Sequence, residues 1–224
     1  MRLPTRRGHD AAMATTIIGV GNLGGTVARH LVNGGEAVVL AAKDESRAQA
    51  LADDLGPLAS AASVGDAIDG SDTVVLAVWL DPLKSVLAEH AKRLDGKVVV
   101  DPTNPIGFQD GQMIRTLPED QSSGSVVAGL LPAAAHYVKA FGSLAATQLA
   151  DTANREPRVV LFYATEDDAA ATTVKRLIRT AGFEPMDVGG LADVGRMEGP
   201  NGDLQGRVLD LDGARTALAT HVTR

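Results

Sequence analysis

Apolar residues along this chain follow two alternating rhythms. Short continuous runs recur at Thr15–Val20, Ala37–Ala41, Leu58–Ala62, Thr73–Val78, Val98–Asp101, Tyr137–Phe141, Arg158–Ala164 and Pro185–Val188. Runs of this kind suit strands buried on both faces. Between them, apolar positions return every three or four residues. Examples are Leu23, Val27 and Leu31; Ala48, Leu51, Ala52 and Leu55; Leu83, Val86, Leu87 and Leu94; and Ala170, Val174, Leu177, Ile178 and Ala181. That spacing lays one apolar stripe along a helix. Stop signals agree: Gly34-Gly35, Gly56-Pro57 and Gly182 follow the stripes. Asp81 with Pro82 predicts a helix start, Asp81 capping and Pro82 at the first helical position. Thr165 to Asp168 resembles a capping box with Asp in place of Glu. Further helices are expected at Ser125–Leu131 and Gly213–Val222, and a long irregular segment at Pro102–Ser125.

Strands alternating with helices predict an α/β fold, a doubly wound parallel sheet with right-handed crossovers. Ligands of such sheets bind outside the carboxyl ends of the strands. The first of these ends is the most informative. The run Thr15-Thr-Ile-Ile feeds Gly19-Val-Gly21-Asn22-Leu23-Gly24, and a helical stripe follows at once. Strand, glycines and helix in that order form the Rossmann dinucleotide fingerprint. Gly19 allows the turn, Gly21 lets backbone N–H groups approach a pyrophosphate, and Gly24 lets the helix lie close to the sheet. A tight strand–helix turn that binds nothing is the plain alternative.

Composition narrows the field. The 224 residues are 45% hydrophobic and 22% charged, ordinary values for a soluble globular protein of one large domain or a domain with an appendage. No apolar run approaches membrane-spanning length. The net charge of -7 argues against nucleic acid, and 3% aromatics leave few stacking platforms. There are no cysteines, so disulfides and thiolate ligands are excluded, which fits a cytoplasmic protein. The expected organisation is a disordered extension over residues 1–14, carrying Arg2, Arg6 and Arg7, then a dinucleotide-binding Rossmann domain over 15–135. A small α/β part over 136–224 is expected to close the cleft.

The other strand ends carry the candidate chemistry. An NAD site places an acid at the end of the second strand, on the ribose hydroxyls. Here that end reads Leu40-Ala41-Ala42-Lys43-Asp44, with Arg47 one turn on. Cations there can pair with a 2′-phosphate, which favours NADP; the alternative has Asp44 serving the ribose. Val78 and Trp79 end the fourth run, and Trp79 is the chain's single tryptophan. It stands either at the nicotinamide mouth or in the packing beneath the next helix. Thr103 and Asn104 lie between Pro102 and Pro105, which restrict the backbone so that polar groups can meet the carboxamide or ribose. A self-bonded turn is the alternative there. No Tyr-x-x-x-Lys pair, spaced metal set, nucleophile elbow or Walker motif is present. Hydride transfer between two redox rings requires none of them, because the cofactors carry the chemistry.

Taken together, Gly19 to Gly24, Leu40-Ala-Ala-Lys43, Asp101-Pro-Thr-Asn-Pro105, Val138-Lys-Ala-Phe-Gly-Ser-Leu144 and Gly182-Phe-Glu-Pro-Met-Asp-Val-Gly189 resemble the NADPH-dependent deazaflavin (coenzyme F420) reductases. That family includes the cytoplasmic oxidoreductase domains of metalloreductases. The resemblance runs from about Thr15 to Glu198. It implies NADP(H) as cofactor, a deazaflavin, FMN or FAD acceptor stacked on nicotinamide, and a homodimer. It places Gly21, Asn22 and Leu23 at the pyrophosphate, Lys43 at the 2′-phosphate, and Asn104 and Pro105 beside the nicotinamide. The chain departs at Ala42, where the family often has Ser or Thr, and at Gly142, where it often has Asn or His.

The expected function is hydride transfer between NADPH and a deazaflavin or flavin-type acceptor. Gly142, Ser143 and Leu144 are the substrate candidates, in a cleft shared with the Asn104 loop and the tail from Gly189 to Glu198. Arg196 and Glu198 are the tail's polar residues, expected to form surface salt bridges. Two rivals remain: a carbonyl or imine reductase using His136 or Tyr137 as proton donor, and a non-catalytic NADP-binding regulator.

Overall fold

The computed structural model describes residues 14–220. One eight-stranded sheet runs through it. Its strands are β1 (Thr15–Ile18), β2 (Val38–Ala41), β3 (Ala59–Ala61), β4 (Thr73–Leu76), β5 (Val98–Asp101), β8 (His136–Ala140), β9 (Val160–Ala164) and β10 (Glu184–Asp187), in the order β10-β9-β8-β5-β4-β1-β2-β3. The sheet is continuous across residue 135. Neighbours pair in parallel, except that β9 runs antiparallel to β8. The expected doubly wound parallel sheet is thus present, with this one antiparallel step. The connection from β8 to β9 carries a short helix, α6 (Ala146–Thr152), and returns the chain without a crossover.

Helices cover both faces. Ile17 faces a layer holding Val27 and Leu31 of α1 (Asn22–Asn33), Ala48 of α2 (Glu45–Leu55), and Val174 and Leu177 of α7 (Asp168–Thr180). Its neighbour Ile18 faces the other layer, with Leu83 and Leu87 of α4 (Leu80–His90) and Val127 of α5 (Ser123–Leu130). Successive strand residues point to opposite faces, and both faces are covered. That is why β1, β4 and β5 are buried along their whole lengths. A third cluster seats the C-terminal residues: Val194, Met197, Leu204 and Ala217 pack on Val160 and Phe162 of β9. Ala214 and Ala217 lie on α8 (Leu211–Ala219); residues 1–13 and 221–224, and the expectations that fall on them, lie outside the described residues.

Several local expectations are corrected. The segment after β5 holds a hairpin, β6 (Ile106–Gln109) with β7 (Gln112–Arg115). A one-turn helix more than expected, α3 (Val64–Asp69), precedes β4. Helix α4 is capped by Trp79, so Asp81 lies inside its first turn and pairs with Lys84 at 2.9 Å. Pro82 is tolerated there because first-turn N–H groups have no partner within the helix. Helix α7 is capped by Asp167, whose side chain accepts from Ala170 N. Thr165 instead donates its hydroxyl to the Tyr137 carbonyl at 2.6 Å.

Candidate functional site

The carboxyl ends of β1, β2 and β4 adjoin, because Ile18 is in register with both Ala41 and Leu76. Here the three glycines do different work. Gly19 has φ +102°, and a Cβ on it would meet the Ala77 carbonyl oxygen at 2.3 Å. A Cβ on Gly24 would meet the Gly19 carbonyl oxygen at 1.9 Å. Both are needed for backbone to pass backbone. Gly21 differs: a Cβ there would meet nothing within 4 Å. It caps α1 with no side-chain hydrogen bond, and the first turn has no acid. The helix therefore presents free N–H groups and the positive end of its dipole to open space, an arrangement that suits an anion such as a pyrophosphate. Asn22 is exposed and Leu23 half-buried beside it.

At the end of β2, Ala42 is half-buried, and Lys43 and Arg47 are exposed with no salt bridge to a neighbouring acid. Asp44 is engaged locally. Its Oδ1 accepts from Ser46 N at 3.1 Å and from the Ser46 hydroxyl at 2.6 Å, capping α2. The Ser46 hydrogen bond holds its carboxyl below the ordinary value. A carboxylate committed to a helix cap is poorly placed to serve a ribose.

Beyond β4, Val78 lines the Gly19 turn and Trp79 stands 59% exposed. Trp79 meets Phe108 of β6 edge to face, ring centroids 6.2 Å apart. Between α4 and the hairpin lies a cavity of about 240 Å³ lined by Trp79, Leu80, Asp81, Pro82, Ile106, Gly107, Phe108 and Thr116. Phe108, Met113 and Ile114 of the hairpin are all exposed.

The loop after β5 is tied down rather than free. Thr103 is buried, and its N–H donates to Asp101 Oδ1 at 2.8 Å. Asn104 donates through Nδ2 to the Gly142 carbonyl at 2.9 Å and accepts at Oδ1 from Gly199 N at 2.8 Å. Pro105 is buried. The substrate candidates Gly142, Ser143 and Leu144 are buried too, and Gly206 N donates to the Ser143 carbonyl at 2.7 Å. These contacts join the Asn104 loop, the 142–143 turn and the tail, and leave the buried Ser143 hydroxyl without a hydrogen-bond partner. Gly142 has its own reason: a Cβ there would meet the Pro102 carbonyl oxygen at 2.3 Å, so a larger residue does not fit. Phe141 before it is buried with φ +64°, a strained conformation for an aromatic residue.

Beneath that loop lies a buried polar cluster the sequence reading missed. Lys139 Nζ is 3.1 Å from Asp101 and 2.9 Å from Glu198, and donates to the Thr103 carbonyl at 2.6 Å. Glu198 is fully buried, not the surface residue expected, and its carboxylate accepts from Ser123 N and Gly124 N at the start of α5. Arg196 does pair with Asp203, at 2.8 Å. The proton-donor candidates are also engaged. Tyr137 donates to Asp101 Oδ2 at 2.8 Å; burial first, then the Asp101 carboxylate, pushes its hydroxyl well above the usual tyrosine range. His136 Nδ1 lies 2.6 Å from Asp167. Among the described residues there is no group of acids and histidines that could hold a metal, and no helix is long and apolar enough to cross a membrane.

Residues 15–105 match the family model described as NADP oxidoreductase coenzyme F420-dependent. The chain is 30% identical over 182 residues to the metalloreductase STEAP3 of Rattus norvegicus, a match covering 81% of this chain and 35% of that protein. The chain thus spans about a third of that relative's length. Among solved structures, the hypothetical protein SMa0349 from Sinorhizobium meliloti superposes with a TM-score of 0.77 at 29% identity, over 88% of this chain and 96% of that one. An Arthrobacter sp. FB24 protein, named as an F420-dependent NADP-reductase, reaches 0.69 at 24% identity over 80% and 86% of the two chains. A reductive aminase from Aspergillus terreus, in complex with NADPH and ethyl-5-oxohexanoate, reaches 0.61 at 20% over 82% and 57%. The last two likenesses are of fold.

Proposed function

We propose that this chain, whose residues 15–105 match the family model described as NADP oxidoreductase coenzyme F420-dependent, binds NADPH across the ends of β1, β2 and β4 and passes its hydride to a planar deazaflavin or flavin-type acceptor. The observation that carries the reading is the acid-free, uncapped start of α1 at Gly21, open where a Cβ would project. Gly21, Asn22 and Leu23 would hold the pyrophosphate through backbone N–H groups, and Lys43 with Arg47 would take the 2′-phosphate. NADPH, when bound, supplies the hydride. The protein's part is to align two rings and keep water out.

For the acceptor, the cavity between Trp79 and Phe108 has the right character. Trp79, Leu80, Pro82, Ile106 and Phe108 border it together with the polar Asp81 and Thr116, and Thr116 N donates to the Pro105 carbonyl at 2.8 Å, which ties the hairpin to the Asn104–Pro105 loop. The tail from Leu191 to Gly206 closes the opposite side of that loop. Tyr137 and His136 are tied to Asp101 and Asp167, so no free proton donor faces the site from β8. Mixing NADPH with deazaflavin, FMN, FAD and ferric chelates tests the proposal. It expects turnover with a ring acceptor; NADPH binding with no turnover on any of them would leave a nucleotide-binding regulator.

A further inference from the structure

Lys139 sits mid-strand in β8, between Val138 and Ala140, and only 2% of it is exposed. A buried lysine needs partners, but this one has more than a single ion pair supplies. Besides Asp101 and Glu198 it donates to the Thr103 carbonyl at 2.6 Å and to the Ser123 hydroxyl at 2.8 Å. These partners belong to four pieces of chain: the end of β5, the loop after it, the start of α5 and the C-terminal segment. Stability is a weak reason for such an arrangement, since well-packed apolar residues in place of a buried ion pair are often as stable or more so. What the cluster does supply is position.

The Thr103 carbonyl receives two donors, Lys139 Nζ and the Ser123 hydroxyl at 3.1 Å, while the Thr103 N–H is held by Asp101. Both backbone polar groups of Thr103 are therefore fixed from below. Glu198 meets Lys139 and the α5 start, and the next residue, Gly199, donates to Asn104. Two consecutive residues of the C-terminal segment thus hold the cluster and the loop together. We propose that Lys139 is a positioning residue that couples the seating of Glu198 and Gly199 to the placement of the Thr103–Pro105 backbone beside the reactive end of the cofactor. The coupling stands on the geometry alone; its consequence for turnover rests on the proposed function.

The test compares wild type with Lys139→Met, Lys139→Arg, Glu198→Gln and Ser123→Ala. Hydrogen exchange is read at the amides of Thr103, Asn104, Ile106 and Gly199, with β1 and α7 amides as references, alongside NADPH affinity and steady-state rates. In Glu198→Gln the loop amides should exchange about tenfold faster with the references unchanged. NADPH affinity should stay within about threefold, and kcat should fall about tenfold or more at nearly constant acceptor KM, the scale of a small misplacement of reacting groups. Lys139→Arg should recover part of what Lys139→Met loses. If Lys139→Met does not fold, Glu198→Gln and Ser123→Ala decide. Unchanged loop exchange in a folded cluster variant overturns the coupling, and a kcat that falls only with the folded fraction overturns the role in turnover. Wild type without turnover on any acceptor would remove the proposed function while the exchange measurement still decides the coupling.

Discussion

Gly24 lies so close beneath Gly19 that a Cβ on residue 24 would sit 1.9 Å from the Gly19 carbonyl oxygen, whereas Gly21, between them, faces open space. The same motif therefore splits into two close-packed glycines and one that faces open space. Gly24→Ala should cost about 1 to 3 kcal/mol, the usual range for overpacking, and lower the melting temperature. Gly21→Val should fold normally, since φ -72° and ψ -166° suit any residue, yet lose NADPH binding. Melting curves and NADPH titrations on both variants check this. A folded Gly21→Val that binds NADPH at wild-type strength would remove the phosphate site.

Cofactor choice should rest on Lys43. A charge-assisted contact to the 2′-phosphate is worth roughly 1.5 to 3 kcal/mol, or about one to two decades of preference for NADPH over NADH. With Ala42 supplying no hydroxyl, the lower end is expected. Lys43→Ala should weaken NADPH and leave NADH nearly unchanged, and the preference should shrink as salt rises because both cations are exposed. Calorimetry with both nucleotides checks it. Equal weakening of the two would point away from a 2′-phosphate contact.

Tyr137→Phe removes a hydrogen bond to Asp101, not a proton donor. Turnover should fall by less than about tenfold, below the usual scale of acid–base catalysis. His136→Ala should behave alike. A thousandfold loss in either folded variant would favour carbonyl or imine reduction, the activity type named for the Aspergillus terreus relative of similar fold.

Asp167 should make stability acid-sensitive. The Ala170 N–H first, then the His136 ring, hold its carboxyl below the ordinary 3.8. A lowered folded value means the contribution is complete above the ordinary carboxylate value and is lost as pH falls through the folded one. Asp167→Ala should cost about 1 kcal/mol at neutral pH, the usual loss of a helix cap. The gap to wild type should narrow between neutral pH and a pH below the lowered folded value. Denaturant unfolding at the two pH values reads it; a gap independent of pH would contradict the charge's part in the cap.

The strand–glycine–helix element proposed as the phosphate end was legible in the sequence because it is local: its parts follow one another within a few residues. The hairpin was also written there and overlooked. Asp110-Gly111 between Gln109 and Gln112 is a two-residue hairpin signal, and both residues have positive φ, 52° and 76°. The reversal of β9 carried no such signal, since run length and composition do not encode direction. The buried cluster was hardest, because Asp101, Ser123, Lys139 and Glu198 meet only through the fold. One hint existed: a lysine inside the apolar run Val138-Lys139-Ala140-Phe141. Gly142, Ser143 and Leu144 were read from a family motif; their burial and the Gly206 N–H on the Ser143 carbonyl depend on chain segments far apart in sequence.

The most direct measurement of the central claim is a single-turnover experiment with NADPH deuterated on one face of the nicotinamide carbon that donates hydride. Wild type is mixed with a deazaflavin, whose hydride-accepting ring carbon keeps the label, and the label is followed by mass spectrometry; with a flavin, whose ring nitrogen exchanges it with water, the same face is read as a primary isotope effect on ring reduction. The account predicts direct, stereospecific transfer of deuterium to the acceptor ring from one labelled face only, and no transfer with Gly21→Val. With the deazaflavin, label lost to solvent from both faces, or a wild-type protein that binds NADPH and never transfers the label, would contradict it.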